Sequence, residues 1–213
     1  MQQGTQEWHQ ARLGRVTASR ISDVMARGQG GKPSAVRANY MAELIAERLT
    51  GEPTATFTSK AMEHGTETED QARAVYTMTT GNAVKEVGFL PHPRIAMSGA
   101  SPDGLIGDRR GLEIKCPNTA THIATLRGGA IKREYLLQMQ WGMACTGREA
   151  WEFVSFDPRL PDALQLHVRP IEIDATQIFE IEAEVETFLA ELDETLADLR
   201  DRYMKEGILC PAA

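Results

Sequence analysis

Apolar residues recur at helical spacing in several long segments of the chain and at alternate positions in shorter segments between them. Over residues 35–49, for example, Tyr40, Leu44 and Leu49 fall on one helix face, as expected for a helix that packs against a core. This spacing predicts longer helices over residues 35–49, 59–79, 130–144 and 176–204. Apolar runs predict strands over residues 84–89, 94–97, 150–156 and 164–173. Two short apolar runs around a Gly-Asp-Arg-Arg-Gly turn predict a β-hairpin within residues 101–117.

The order of these elements indicates the fold class. Predicted strands lie in the middle of the chain between helices, which favours an α/β or α+β protein with a central mixed β-sheet flanked by helices. A short helix is predicted after Thr17-Ala18-Ser19, with Thr17 or Ser19 as its cap. The length of 213 residues fits a single domain with a core over about residues 8–173 and an acidic C-terminal helix over about residues 176–204.

The predicted C-terminal helix carries one apolar stripe. Its members are Ile178, Ile181, Val185, Phe188, Leu192, Leu196 and Leu199. A stripe at this spacing either packs on the body of the same chain or makes contacts with other subunits or partners.

Composition excludes several classes of protein. The chain is 42% hydrophobic and 25% charged, without a run of about 18 apolar residues that could span a membrane. Its N-terminus lacks the basic and apolar regions of a signal peptide, so we expect a cytoplasmic protein. Three cysteines at unrelated spacings make neither a disulfide framework nor a zinc motif, and the five histidines show no metal-ligand spacing.

The charge is unevenly distributed. A net charge of −7 argues at first against nucleic acid as a partner. Residues 171–213, however, hold twelve acidic and three basic residues, so the rest of the chain is +2. The acidic tail is interpreted as a solvated helix face, and a phosphate-binding groove on the body remains compatible with the composition.

The predicted hairpin carries candidate chemistry. Side chains alternate along a strand, so Glu113 and Lys115 share one face, and the turn position places Asp103 across from Glu113. Carboxylates are the ligands that Mg²⁺ prefers, and a neighbouring lysine could act on an attacking water. Glu69, on a preceding predicted helix, is a plausible third carboxylate. The alternative is an ordinary exposed hairpin whose ion pair is worth about 0–1 kcal/mol.

These residues carry a family resemblance. Pro102-Asp103 followed by Glu113-Ile114-Lys115 resembles the PD-(D/E)xK nuclease signature. The longer string SPDGL…GLEIKCP is similar to the phage lambda exonuclease family of recombination nucleases. Further segments resemble the same family, in the same order, over residues 8–19, 64–73, 135–140 and 150–153. The resemblance implies a restriction-endonuclease-like core.

The resemblance also implies an activity and its metal. Members of the family processively degrade the 5′ strand of linear double-stranded DNA to mononucleotides, and Mg²⁺ is required. We expect two ions in each active site, with Mn²⁺ able to substitute. The implied metal ligands are Asp103, Glu113, Glu69 and the main-chain carbonyl of Ile114. Lys115 would act on the attacking water and Gln138 would help to position it, unless Gln138 is a solvent-facing helix residue.

Other positions match family residues that bind the DNA. Arg12, Ser19 and Ser101 correspond to a pocket for the 5′-phosphate. Met62 falls at the position of an apolar wedge that separates the strands, although a methionine is also a common core residue. Arg27 and Lys32 lie in a glycine-rich loop that either contacts the duplex or is a plain connector.

The family further implies a homotrimeric ring around the DNA and a phage single-strand annealing protein as partner, without a membrane. Two alternative functions remain open on the same core. One is a sequence-specific endonuclease, which would need elements that recognise bases. The other is an inactive scaffold that binds DNA ends, which would be expected to have lost part of the active site.

Overall fold

Two mixed β-sheets and the helices around them make up the part of the chain that the structure describes. The computed structural model describes residues 2–28, 30, 34–54 and 60–204, with the side chains of residues 60–67 outside that description. The helices are α1 (Gln6–Arg12), α2 (Ile21–Val24), α3 (Ala35–Thr50), α4 (Lys60–Thr80), α5 (Thr119–Leu126), α6 (Arg133–Thr146), α7 (Asp162–Gln165) and α8 (Ala175–Tyr203). The strands are β1 (Val16–Thr17), β2 (Val84–Lys85), β3 (Leu90–Pro91), β4 (Ser98–Ala100), β5 (Gly104–Ile106), β6 (Arg110–Lys115), β7 (Ala150–Phe156) and β8 (Leu166–Glu172).

The larger sheet has five strands in the order β2-β5-β6-β7-β8. Its β6–β7 pair is parallel and its other pairs are antiparallel. The predicted hairpin is β5–β6, in which Gly104 pairs with Leu112. A smaller sheet of order β1-β4-β3 joins residues near the N-terminus to the segment before the hairpin. The prediction of a central mixed sheet flanked by helices is confirmed.

The larger sheet is covered on both faces, as expected for strands with few exposed positions. Ala72 and Tyr76 of α4 pack on one face with Leu112 and Val154. On the other face, Met139 and Met143 of α6 pack with Trp151 and Phe153. The Trp151 ring lies so close to Gly111 and Gly142 that a Cβ at either glycine would come within 2.8 Å of it. These glycines allow α6 to approach the sheet closely, and α6 carries Gln138.

The C-terminal helix packs on the body of the chain. Five residues of its apolar stripe, Ile181, Val185, Phe188, Leu192 and Leu196, are buried in the core cluster that includes α2, α3 and α6. The acidic face is only partly solvated, which corrects the sequence-based interpretation. Some of its carboxylates pair with arginines of the body in Arg27–Glu184, Arg37–Glu191, Arg48–Asp193 and Arg94–Glu182. In the described part of the chain, no helix is both long and apolar enough to cross a membrane.

The prediction of a strand over residues 94–97 is wrong, because this segment is a turn. The ring Nδ1 of His92 accepts hydrogen bonds from the backbone N–H groups of Arg94 and Ile95, at 3.3 and 3.0 Å. Met97 adopts a positive φ of 58°. These two N–H groups are therefore not available to a sheet, and the strand begins at Ser98.

Other element boundaries also differ from prediction. The strand predicted over 84–89 is reduced to the two-residue β2, followed by an irregular segment and β3. The helix predicted after Thr17 begins as a 3₁₀ turn over Ala18–Arg20, without a side-chain cap from Thr17. The helix α5 was not predicted; Asn118 caps it by accepting a hydrogen bond from the N–H of Thr121.

Candidate active site

The hairpin register brings the two predicted carboxylates together. Because Gly104 pairs with Leu112, the preceding Asp103 lies opposite Glu113. Asp103 Oδ2 accepts a hydrogen bond of 2.6 Å from the backbone N–H of Ile114, which fixes this carboxylate across the hairpin. Glu113 is only 2% exposed, in line with its position on the covered α6 face of the sheet. The sequence-based placement of these residues is reproduced by the structure.

Lys115 lies on the same face as Glu113, two residues further along β6. Its Nζ is 2.6 Å from Glu113 Oε1 and 3.4 Å from Gln138 Oε1. The Nζ also lies 4.8 Å from the centre of the Tyr135 ring, a distance that permits a cation–π interaction. Lys115 is thus surrounded by a carboxylate, an amide oxygen and an aromatic face.

Glu69 reaches the same site from α4. It lines one cavity of about 170 Å³ together with Asp103, Glu113, Lys115 and other residues. Arg73, one helical turn after Glu69, donates to Glu69 Oε1 at 2.7 Å. It also donates to the main-chain carbonyl of Asp103 at 3.2 Å. Arg73 has no predicted role, although its spacing of four residues from Glu69 is a signal that the sequence contains.

When they are all ionised, the carboxylates of Glu69, Asp103 and Glu113 outnumber the cations beside them, Lys115 and Arg73. Burial, and the negative charge of Asp103, raise the pKa of Glu113 to about 8. The same two causes raise the pKa of Glu69 to about 7. Burial also raises the pKa of Asp103, even though Lys115 and Arg73 favour its ionised form. Such a site stabilises a cation that enters it, because the cation removes the repulsion between the carboxylates.

This electrostatic arrangement predicts a dependence of stability on pH. A carboxyl group whose pKa is raised by folding holds more protons in the folded state than in the unfolded state. The free energy of unfolding therefore falls as pH rises towards the folded pKa values of about 7 for Glu69 and about 8 for Glu113. The buried His92 and the half-buried His167 have lowered pKa values and act in the opposite direction below about pH 6.5.

We therefore expect the metal-free protein to lose about 2 kcal/mol of stability between pH 6.5 and 8. Millimolar Mg²⁺ should reduce this loss. Chemical denaturation at several pH values, with and without Mg²⁺, measures both effects. A metal-free stability that stays constant over this range would contradict the raised pKa values.

The predicted metal ligands fit a hard divalent cation by the chemistry of their donors. Glu113 Oε1 is buried and, apart from the ion pair with Lys115, has no hydrogen-bond partner. Among the described residues, no three acidic, histidine or cysteine side chains already form a complete metal-binding group. The carboxylates therefore offer suitable oxygen ligands that would have to close around an ion.

The predicted 5′-phosphate residues line the same cavity as the carboxylates. Arg12, Ser19 and Ser101 all line it. The Arg12 guanidinium stacks at 4.0 Å on the ring of Trp8, whose Nε1 donates to Ser101 Oγ at 3.0 Å. In the described part of the chain, Arg12 forms no ion pair, so its charge is free to meet an anion. Sequence reasoning missed the connecting role of Trp8, which only the three-dimensional contacts reveal.

The other residues predicted to bind DNA either do not line this cavity or lie outside the described part of the structure. Lys32 lies outside the described residues, and so does the side chain of Met62. Arg27 is 55% exposed and pairs with Glu184 of α8. Gln140, two residues after Gln138, had no predicted role; it donates to the carbonyl of Glu172 and accepts from the N–H of Asp174. Gln138 lies beside Lys115. Its role in positioning the water stays a prediction, as do the DNA-binding roles of Met62, Arg27 and Lys32.

A second cavity, of about 780 Å³, adjoins the first and shares Trp8, Glu69 and Asp103 with it. Arg73 forms part of its wall. Gln3 lines both cavities and donates to the carbonyl groups of Val87 and Pro102, at 3.0 and 2.7 Å. The N-terminal segment is therefore tied to the residue that precedes Asp103.

Comparison with known proteins establishes the relationship that the site suggests. The family model of the YqaJ-like viral recombinase domain matches residues 7–149. The chain belongs to the YqaJ-like viral recombinase family. This result, together with the structural matches below, confirms the resemblance to lambda-exonuclease-like nucleases.

Solved structures extend the match over nearly the whole chain. The alkaline exonuclease LHK-Exo from Laribacter hongkongensis is 52% identical, with a TM-score of 0.87, and the match covers 94% of this chain and 98% of that one. The same enzyme in complex with dAMP matches equally well. A phage related exonuclease from Haemophilus somnus 129PT is 16% identical, with a TM-score of 0.69, over 90% of this chain and 99% of that one, and shares the fold. This YqaJ-like protein is thus a homologue of an alkaline exonuclease over nearly its whole length.

Proposed function

We propose that the protein is a Mg²⁺-dependent 5′→3′ exonuclease that processively degrades the 5′ strand of linear double-stranded DNA to mononucleotides. The observation that carries this proposal is one cavity that is lined both by Asp103, Glu113 and Lys115 and by Arg12. The first group is suited to hydrolysis of a phosphodiester, and Arg12 is suited to binding an anion at a strand end. The product would be a duplex with 3′ single strands, the substrate of annealing-type homologous recombination.

Asp103, Glu113 and Glu69, with the main-chain carbonyl of Ile114, are the groups that we propose hold the metal. The preference of hard cations for oxygen ligands supports Mg²⁺, with two ions per site and Mn²⁺ as a substitute. When bound, such ions neutralise charge on the scissile phosphate and lower the pKa of a coordinated water.

Lys115 and Gln138 would act on the water and the phosphate. In the metal-free protein, neighbouring Glu113 and Asp103 raise the pKa of Lys115 despite its burial. As an ammonium, Lys115 can donate hydrogen bonds that orient the attacking water and can stabilise negative charge that develops on the phosphate. Gln138 contacts Nζ through its amide oxygen and would keep the ammonium in place.

Arg12, Ser19 and Ser101 would bind the 5′-phosphate of each new end. A guanidinium and two hydroxyls form a suitable donor set for a phosphate monoester. The complex of LHK-Exo with dAMP supports a ligand of this class, because dAMP is a nucleoside 5′-monophosphate. Stacking on Trp8 holds the Arg12 guanidinium in one orientation. Each cleavage creates a new 5′-phosphate, so this pocket would draw the strand forward by one nucleotide.

Processivity would come from a homotrimeric ring that encloses the DNA. Enclosure allows processive digestion with few base-specific contacts, and it suits a body with a net charge of only +2 over residues 1–170. The recombinase family supports a further partner, a phage single-strand annealing protein that receives the 3′ strand. Both assemblies are part of the proposal.

Replacement of Arg12 by alanine is expected to shorten the digested tract. The variant loses the charge that meets the 5′-phosphate, while the residues at the cleavage site are unchanged. We expect a reduction of about 10-fold or more in the preference for 5′-phosphorylated over 5′-hydroxyl ends. Single-turnover digestion of long duplexes with each type of end measures the preference and the tract length. Equal tracts and equal preference in the variant and the wild type would remove Arg12 from the pocket.

Digestion of a linear duplex beside the same DNA as a closed circle tests the proposed activity. We expect Mg²⁺-dependent release of mononucleotides from the linear DNA, an intact circle and no reaction in EDTA. Cleavage of the circle would favour the endonuclease alternative. Binding to linear DNA without any cleavage would favour the inactive scaffold.

A further inference from the structure

Arg73 connects the two elements that carry the proposed metal ligands. It lies on α4, and its side chain is only 13% exposed. Its Nη2 donates to Glu69 Oε1 on the same helix at 2.7 Å, whereas its Nε donates to the main-chain carbonyl of Asp103 at 3.2 Å. One planar guanidinium therefore holds the helix carboxylate and the start of the hairpin together.

The remaining contacts of Arg73 are of a different kind. Nη1 donates to Asp70 Oδ1 at 2.8 Å and lies 3.5 Å from Glu86 Oε2. Asp70 is 90% exposed and Glu86 is 63% exposed. Asp70 lies three residues away on the same helix, and ion pairs with solvent-exposed carboxylates such as Asp70 and Glu86 contribute little. The bond to Asp103, by contrast, spans 30 residues of sequence and joins two separate elements.

The guanidinium geometry suits this connection, and a lysine would not reproduce it. Nε and Nη2 point in nearly the same direction, so one edge of the group serves Glu69 and the Asp103 carbonyl at once. Lysine carries its three N–H groups on one nitrogen, so it lacks the planar edge from which two parallel N–H groups meet both acceptors. Burial of most of the side chain leaves it few alternative positions.

We propose that Arg73 is a positioning residue that fixes Glu69 relative to Asp103, so that the helix carboxylate and the hairpin carboxylates can hold divalent cations together. This inference rests on the metal requirement in the proposed function. Groups that hydrogen-bond to metal-ligating side chains orient those ligands, and their loss typically lowers metal affinity by about 10- to 100-fold. Loss of Arg73 is expected to have an effect of this size.

Titration of the DNA-free, full-length protein with Mn²⁺ by isothermal calorimetry tests the inference. We compare the wild type with R73M, which removes the guanidinium, and with R73K. The lysine keeps the positive charge but lacks the planar edge that contacts both Glu69 and the carbonyl of Asp103. The matched control is D70N, which removes only the exposed partner. We expect binding by R73M to be weakened by about 10- to 100-fold, binding by R73K to be weakened by a smaller factor, and D70N to bind like the wild type.

A double-variant comparison separates positioning of Glu69 from a general loss of stability. If Arg73 acts through Glu69, R73M added to E69Q weakens Mn²⁺ binding far less than R73M does in the wild-type background. Equal weakening in both backgrounds would overturn the inference, as would wild-type affinity in R73M. Should R73M fail to fold, R73K with and without E69Q provides the same comparison.

The titration also distinguishes this inference from the proposed function. A wild-type protein that binds no Mn²⁺ would contradict the metal requirement itself and thereby remove the basis of the inference. A wild-type protein that binds Mn²⁺, together with an R73M variant of equal affinity, would contradict only the role of Arg73.

Discussion

Replacement of Lys115 by alanine is expected to abolish cleavage while the protein still binds DNA ends. The ammonium lies 2.6 Å from Glu113 Oε1, one of the carboxylates that we propose hold the metal. Loss of a group that orients water or stabilises developing charge lowers the rate by about 10²- to 10⁴-fold. The Arg12 pocket is unchanged, so affinity for a 5′-phosphorylated end should change little. Single-turnover cleavage and equilibrium DNA binding measure the two properties separately.

Lys132 provides the matched control for this experiment. Its Nζ faces the same Tyr135 ring at 5.4 Å, but it is 59% exposed and has no contact with Glu113. We expect Lys132→Ala to cleave at a rate within about threefold of the wild type. Substantial turnover by the Lys115 variant would remove Lys115 from the mechanism.

Replacement of Asp103 by asparagine is expected to remove activity without a loss of stability. The amide oxygen can still accept the hydrogen bond from Ile114, but the charge that would hold the metal is gone. We expect cleavage to fall by about 10³-fold or more, and the stabilisation by Mg²⁺ to be lost. Because burial raises the pKa of Asp103, its neutral replacement should leave the metal-free protein at pH 8 as stable as the wild type or more stable.

The same substitution at Asp157 should have the opposite effect on stability. Asp157 accepts hydrogen bonds from the backbone N–H and the guanidinium of Arg159, which lower its pKa to about 2. A carboxylate with a lowered pKa stabilises the folded state above its unfolded pKa, so Asp157→Asn should lose stability at neutral pH. Thermal melts of both variants with and without Mg²⁺ give the comparison. A destabilised Asp103 variant whose stability still increases with Mg²⁺ would contradict the assignment of Asp103.

The centre of the site could be predicted from sequence because it depends on local rules. Alternation along β6 places Glu113 and Lys115 on one face, and the length of the turn places Asp103 opposite Glu113. The long helices were predicted for the same reason, since their apolar spacing persists over many residues. Family resemblance then joined Arg12 and Glu69 to these residues, although they lie far apart in sequence.

Features that depend on distant or irregular contacts could not be predicted. The segment over residues 94–97 is apolar enough for a strand, but the ring of His92 takes two of its backbone N–H groups. The acidic face of α8 looks solvated in the sequence, yet Glu184 pairs with Arg27 and Arg37, about 150 residues away. The role of Arg73 likewise depends on a main-chain carbonyl whose position only the fold determines.

The direction of digestion tests the central claim most directly. A linear duplex would carry one radiolabel on the 5′-terminal nucleotide of a strand and, in a parallel sample, one on the 3′-terminal nucleotide. We predict that with Mg²⁺ the 5′ label is released first as a mononucleotide, faster from a 5′-phosphate than from a 5′-hydroxyl end, while the 3′ label stays in long single strands. Early release of the 3′ label, or release of both labels in long internal fragments, would contradict a 5′→3′ exonuclease.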